Sequence, residues 1–208
     1  MPNNPFRVVE KLATEGRQRV LAPEEFRTLL RVSDAIFRQV LLVFRLTGVR
    51  PGEFCRLTWP QVNWETHCWV IQKHKTKRTM KEPRPRIIPM PPIVESLLRW
   101  RLGKHGHTNR VFLNEDGEPW KTNALRCRMR RARERADFAP DENGEQVVMY
   151  TTRHTYATTA VALGVSDRRL ADLLGHTNTK TTQRYIHLAT SDLYRAALEA
   201  TRGYISPK

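Results

Sequence analysis

HCWVIQKHKTKRTMKEPRPRIIPM, residues 67–90, is where the pattern of this chain stops being helical. HCWVIQ is rich in aromatic and β-branched residues, and PRPRIIPM ends in a short apolar run among prolines. The basic stretch KHKTKRTMKE between them reads as a turn. Together with the residues from Val62 onward, this predicts a β-hairpin or a small three-stranded sheet. On both sides the period is helical. Residues 34–47, DAIFRQVLLVFRLT, carry Ile36, Val40, Leu41, Val43, Phe44 and Leu46 on a wide apolar face. Gly48 is placed to close that helix in a left-handed cap, and Pro51 to open the next one. PIVESLLRWRL and the strongly basic NALRCRMRRARERA, residues 123–136, read as helices. The last third, from Tyr150 to Tyr204, reads as almost wholly helical, punctuated by Gly164, Gly175 and Gly203. The fold class predicted is mainly α with a small antiparallel β-sheet (α+β).

The charge of the chain narrows its partners. Its 208 residues hold 36 Lys and Arg against 21 Asp and Glu, a formal charge of +15. That excess favours a polyanion, with nucleic acid ahead of a membrane surface. No apolar run approaches the roughly 20 residues of a spanning helix, and MPNNPFRVVEKLA lacks an apolar signal core. Cys55, Cys68 and Cys127 are odd in number and show no CxxC spacing, which argues against a disulfide framework or a zinc site and for a reducing, cytoplasmic compartment. Residues 1–21 read as a linker. The folded part is expected from residue 22, where Pro23 suits a first helical position and Glu24 and Glu25 suit the positive end of a helix dipole.

Four places carry chemistry. In TGVRPGEF, Arg50 sits on a turn between helices with Glu53 close enough to orient it. The hairpin turn offers Lys73, Lys75, Lys77, Arg78 and Lys81. In MYTTRHTYAT, Arg153 and His154 lie near a helix start, where free N–H groups favour anions. In LLGHTNTKTTQRYIH, His176 follows the helix end at Gly175, and Tyr185 stands nine residues later on a polar segment. Taken singly, each is an ordinary solvated group. Taken in order, the set Arg, Lys, Arg, His, Tyr suits phosphodiester chemistry. A tyrosine oxygen attacks in line while two arginines hold nonbridging oxygens and neutralise charge. A lysine protonates the departing 5′ oxygen, and a histidine bonds the phosphate or passes a proton. The sequence shows no carboxylate cluster at metal-ligand spacing and no GKS/T phosphate loop. Chemistry without metal, ATP or another cofactor is the expectation.

The wording of these pieces resembles the tyrosine recombinases of the phage-integrase group over nearly the whole chain. The matching pieces are TGVRPGEFCRLTWPQV, the Lys-Thr of the hairpin followed by RIIPMP, YTTRHTYATTAVALGV and LLGHTNTKTTQRYIH. The last is the most specific, because Leu-Gly-His with Tyr nine residues on is that family's C-terminal catalytic motif. The resemblance implies the recombinase catalytic-domain fold over residues 22–208. It implies cleavage and rejoining of double-stranded DNA through a 3′-phosphotyrosyl intermediate, by a homotetramer on DNA in the cytoplasm, associated with the nucleoid. By the same resemblance Arg50 and Arg153 bind the phosphate, Tyr185 is the nucleophile, His176 fills the His-or-Trp position and Glu53 supports Arg50. Lys75 matches the catalytic lysine best, with Lys73, Lys77 and Lys81 left open by the uncertain register of a turn.

Two departures stand out. Tyr150 occupies the place where the family usually has His, three residues before the second arginine, and its hydroxyl is expected to bond the phosphate or Arg153. The family also usually carries an N-terminal helical domain that clamps the opposite face of DNA, and this chain is expected to lack it. Arg128 and Arg131 of the basic helix, with Lys73, Lys77 and Arg78 of the turn, are expected to contact DNA. In the C-terminal stretch SDLYRAALEATRGY, Leu193, Ala197 and Ala200 share a helical face; the resemblance implies that a helix here docks on a neighbouring protomer, with packing on its own domain as the alternative. A type IB topoisomerase is the alternative in mechanism. A non-catalytic DNA-binding protein read by the basic helix is the alternative in class.

Overall fold

The computed structural model describes residues 18–72 and 85–176. Expectations for Lys73, Lys75, Lys77, Arg78, Lys81, Tyr185 and the C-terminal stretch lie outside those residues. The elements run α1 (Pro23–Val32), α2 (Ala35–Thr47), α3 (Pro51–Arg56), a 3₁₀ turn (Trp59–Gln61), β1 (Val62–Asn63), β2 (Cys68–Ile71), β3 (Arg86–Pro89), α4 (Pro92–His105), α5 (Thr122–Arg135), α6 (Met149–Ala162) and α7 (Asp167–Leu174). The architecture is helical around one three-stranded antiparallel sheet, in the order β1-β2-β3.

Local chemistry explains most of the boundaries. Asp34 caps α2 by accepting the Phe37 N–H at 2.9 Å. Gly48 ends the helix at φ 60°, its N–H returning to the Phe44 carbonyl. A side chain at Gly48 is excluded twice, because a Cβ there would lie 2.5 Å from Cδ1 of Tyr156 on α6. The close approach this allows lets α2 pack along α6. Residues 18–21 are already tied to the body. Glu145 accepts the N–H groups of Gln18 and Arg19, and Thr155 of α6 accepts that of Leu21, which is buried.

The core joins the helices to the sheet through aromatic rings. Phe54 of α3 stacks on Phe112 at 4.0 Å between centroids and leans against Phe44 of α2 at 4.9 Å. Trp69 of β2 meets Phe112 edge-on at 6.1 Å. Such pairs add about 0.5–1.5 kcal/mol each beyond the area they bury. The sheet obeys period two. Val62, Trp69, Ile71 and Ile88 face the core, Ile87 is exposed, and the fifth inward residue is Arg86. Arg86 pairs in register with Ile71. Its face of the sheet lies against α7.

Candidate active site

The site is built at the C-terminal end of α7. This helix closes in a Schellman motif: Gly175, at φ 63°, donates its N–H to the Asp172 carbonyl at 3.0 Å, and His176 donates to Ala171 at 2.9 Å. The turn leaves the final carbonyls in need of donors, at the negative end of the helix dipole. Three arginines from distant parts of the chain supply them. Arg86 donates Nη1 to Asp172 at 2.9 Å and Nη2 to Leu173 at 2.5 Å. Arg153 donates Nη2 to Leu174. Arg50 donates Nη2 to Gly175 at 2.8 Å. Four successive carbonyls, residues 172–175, thus orient three guanidinium groups.

Each arginine has a second anchor. Arg153, on α6, donates Nη1 to the carbonyl of Gly48 at the end of α2. Arg50 donates Nη1 to Glu53 Oε1 at 2.8 Å, while Glu53 Oε2 accepts the Arg50 backbone N–H at 3.0 Å. The buried carboxylate also lies 3.8 Å from Arg86 Nε. Burial pushes the Glu53 pKa up, but the charges of Arg86 and Arg50 and the bonds from Arg50 outweigh it, so the net shift is downward. His176 places Nε2 3.4 Å from Nη2 of Arg153. The ring of Tyr150, one turn before Arg153, lies 6.0 Å from that guanidinium and 5.2 Å from the ring of His154.

The structure therefore brings together Arg50, Glu53, Tyr150, Arg153 and His176. It also modifies one expectation. Because α6 begins at Met149, Arg153 and His154 lie in its second turn, away from the free N–H groups of the helix start. The helix end that organises Arg153 is the carbonyl end of α7. Arg86 was missed by the sequence reading, although strand alternation puts it on the same face as Ile88. Among the expected DNA contacts of α5, Arg131 is exposed, whereas Arg128 is held by Asp34 at 2.7 Å and by Glu115. A groove of about 310 Å³ between α5 and the segment entering α6 is lined by Arg126, Arg130 and Arg133. No group of three His, Cys, Asp or Glu side chains poised to hold a metal occurs among the described residues.

The phage integrase family model matches residues 19–192. The chain belongs to the phage integrase family. It is 26% identical over 181 residues to tyrosine recombinase XerD of Staphylococcus saprophyticus, covering 84% of this chain and 57% of that protein. It is 26% identical over 195 residues to tyrosine recombinase XerA of Thermococcus onnurineus, covering 86% and 62%. The chain thus spans less than two thirds of the length of either relative. Among solved structures, the XerA recombinase crystal structure superposes with a TM-score of 0.68 at 22% identity, covering 94% of this chain and 68% of that one. The Tn1549 transposon integrase in complex with a circular intermediate DNA gives 0.66 at 19%, covering 89% and 67%. These likenesses show that the fold is that of the tyrosine recombinase catalytic domain.

Proposed function

We propose that this chain is the catalytic domain of a site-specific DNA recombinase. It cleaves and rejoins double-stranded DNA through a 3′-phosphotyrosyl intermediate, without metal or nucleotide cofactor. The carrying observation is the convergence of Arg50, Arg153 and His176 at one helix end, from segments that are far apart in the chain. Family membership and the named activities of the relatives support the same reading. In it, residues 22–208 form the catalytic unit, to which the end of the preceding linker, residues 18–21, is bonded, and the protein works as a homotetramer on DNA in the cytoplasm, at the nucleoid. Among the described residues no helix is long and apolar enough to cross a membrane.

The chemistry follows from the fork geometry of the guanidinium. Arg50 carries five N–H donors, and its side-chain bonds to Glu53 and Gly175 use one each on Nη1 and Nη2. Anchored at both ends in this way, its guanidinium is positioned to meet a nonbridging phosphate oxygen with little reorganisation as charge builds. Arg50 keeps 18% of its side chain exposed and is open to the phosphate. Arg153 is 1% exposed, so its contact requires a local opening. His176 supplies a further donor or a proton relay. Tyr185 is assigned the nucleophile and Lys75 the proton donor to the 5′ oxygen.

The test is a suicide substrate nicked beside the cleavage site. The native chain is expected to trap a covalent protein–DNA adduct, and Tyr185→Phe to bind the same DNA but form none. An adduct persisting in Tyr185→Phe would reassign the nucleophile. Relaxation of supercoiled DNA without strand-exchanged product would mark a topoisomerase, and binding without any adduct would mark a non-catalytic DNA binder.

A further inference from the structure

We propose that Arg86 is a positioning residue for DNA cleavage: from the inward face of β3 it holds the α7 terminus, and thereby His176, in register with Arg50 and Arg153. This inference rests on the recombinase reading above.

Four observations carry it. First, Arg86 stands on the apolar face of the sheet with Trp69, Ile71 and Ile88, and its side chain is 2% exposed. Burying a guanidinium costs several kcal/mol before compensation, and an aliphatic residue would serve the sheet better. Burial lowers its pKa to about 10, with Glu53 acting in the opposite direction, so it remains a cation at neutral pH. Second, its bonds are spent on the site. Apart from the carbonyl of its own neighbour Ile87, Nη1 and Nη2 go to Asp172 and Leu173, the last-turn carbonyls ahead of Gly175 and His176. Third, the fit is close. A Cβ on Gly175 would lie 2.6 Å from Cδ and 2.7 Å from Nε of Arg86, so the glycine admits the arginine stem as well as the left-handed turn. Fourth, Glu53 lies between the two arginines, 2.8 Å from Nη1 of Arg50 and 3.8 Å from Nε of Arg86. The carboxylate that aims Arg50 thus also offsets the burial of the Arg86 charge, while the Arg86 hydrogen bonds go to the turn that carries His176. With its side chain 2% exposed and its donors turned to the α7 carbonyls, Arg86 acts through these neighbours.

The experiment measures single-turnover adduct formation on the nicked substrate, together with the DNA dissociation constant, for the full chain and for Arg86→Met, Arg86→Lys, His176→Ala and the combination of the first and third. A native chain that forms no adduct would defeat the recombinase reading itself, independently of Arg86. Given native cleavage, Arg86→Met is expected to bind DNA within about twofold of native, and to cleave on the order of 100-fold more slowly, the scale of a 1 Å misplacement. Arg86→Lys is expected to recover part of the rate. Combining Arg86→Met with His176→Ala is expected to be little slower than His176→Ala alone, because the two act through one group. Three results would overturn the proposal: native-rate cleavage by Arg86→Met, equal losses in binding and cleavage, or losses that multiply with His176→Ala. If circular dichroism shows that Arg86→Met does not fold, Arg86→Lys replaces it in the same cycle, and native-rate cleavage by that variant is then the overturning result.

Discussion

Helices α5 and α6 are both 14 residues long and follow one another in the chain, yet they handle charge in opposite ways. α5, TNALRCRMRRARER, has six arginines and buries Leu125, Met129 and Ala132 at helical spacing. The arginines stay at the surface or pair with surface acids, as Arg128 does with Asp34 and Glu115. α6, MYTTRHTYATTAVA, has one arginine and buries it, with His154 and the hydroxyls of Thr151, Thr152, Thr155 and Thr158. For Thr151, Thr152 and Thr155, hydroxyl bonds to nearby backbone offset that burial. Thr152 donates to Met149 at 2.7 Å and Thr155 to Thr151 at 2.8 Å, while Thr151 accepts the Val148 N–H. Charge density therefore marks where long-range attraction to a polyanion comes from. On the proposed recombinase reading, the few buried charges around α6 and α7 mark where chemistry is organised.

The comparison is sharpened first at Glu53, on the buried side. Glu53→Gln removes the carboxylate shared by two arginines, and the expected loss is about 3–5 kcal/mol of stability, the cost of breaking a buried pair. The folded-state pKa is depressed, so this contribution is present above the unfolded value of about 4.3 and is lost as pH falls through the folded one. The melting-temperature gap between native and variant should accordingly close under acid titration. A gap that stays constant below pH 4 would break the assignment.

Arg153→Ala is next. Cleavage should slow by about 10²–10³-fold, the cost of one preorganised transition-state donor. The carbonyls of Gly48 and Leu174 also lose their donor, at about 1–3 kcal/mol each where burial persists. Arg131→Ala on α5 should do the reverse: cleavage at saturating DNA unchanged, and the slope of log affinity against log salt reduced by about 1. A large rate loss from Arg131→Ala would erase the distinction between the two helices.

Tyr150 tests the edge of the buried site. Its ring lies 6.0 Å from the Arg153 guanidinium, so Tyr150→Phe, which keeps the ring, should retain single-turnover cleavage while Tyr150→Leu loses about 0.5–1 kcal/mol. A tenfold loss in Tyr150→Phe would instead give the hydroxyl the role of the family histidine. The smallest effect belongs to Arg128→Ala. It should lower stability by no more than about 1 kcal/mol, since its partners are partly exposed and screened, and change the salt slope less than Arg131→Ala.

Much of this protein was legible in its residues because the relevant physics is local. Gly48 and Gly175 announce left-handed helix ends that a Cβ disfavours. Pro51 starts a helix, period-two alternation finds the strands, and Arg50 with Glu53 three residues on forms a pair within one turn. The motif spacing around Arg153 and His176 named the family before any contact was known. What the sequence could not express is which backbone groups meet those side chains. Nothing near residue 86 indicates that its guanidinium will cap a helix 86 residues later, and nothing near residue 153 indicates a carbonyl 105 residues earlier. Reading Arg153 locally pointed to the anion-attracting start of its own helix. The tertiary structure instead presents it to the carbonyl end of α7, and only packing α2, α6 and the sheet around that end creates the site. The residue types and their order were determined by the sequence. The directions of the three guanidinium groups were decided by long-range hydrogen bonds to carbonyls, groups that every residue carries and that no sequence pattern can mark.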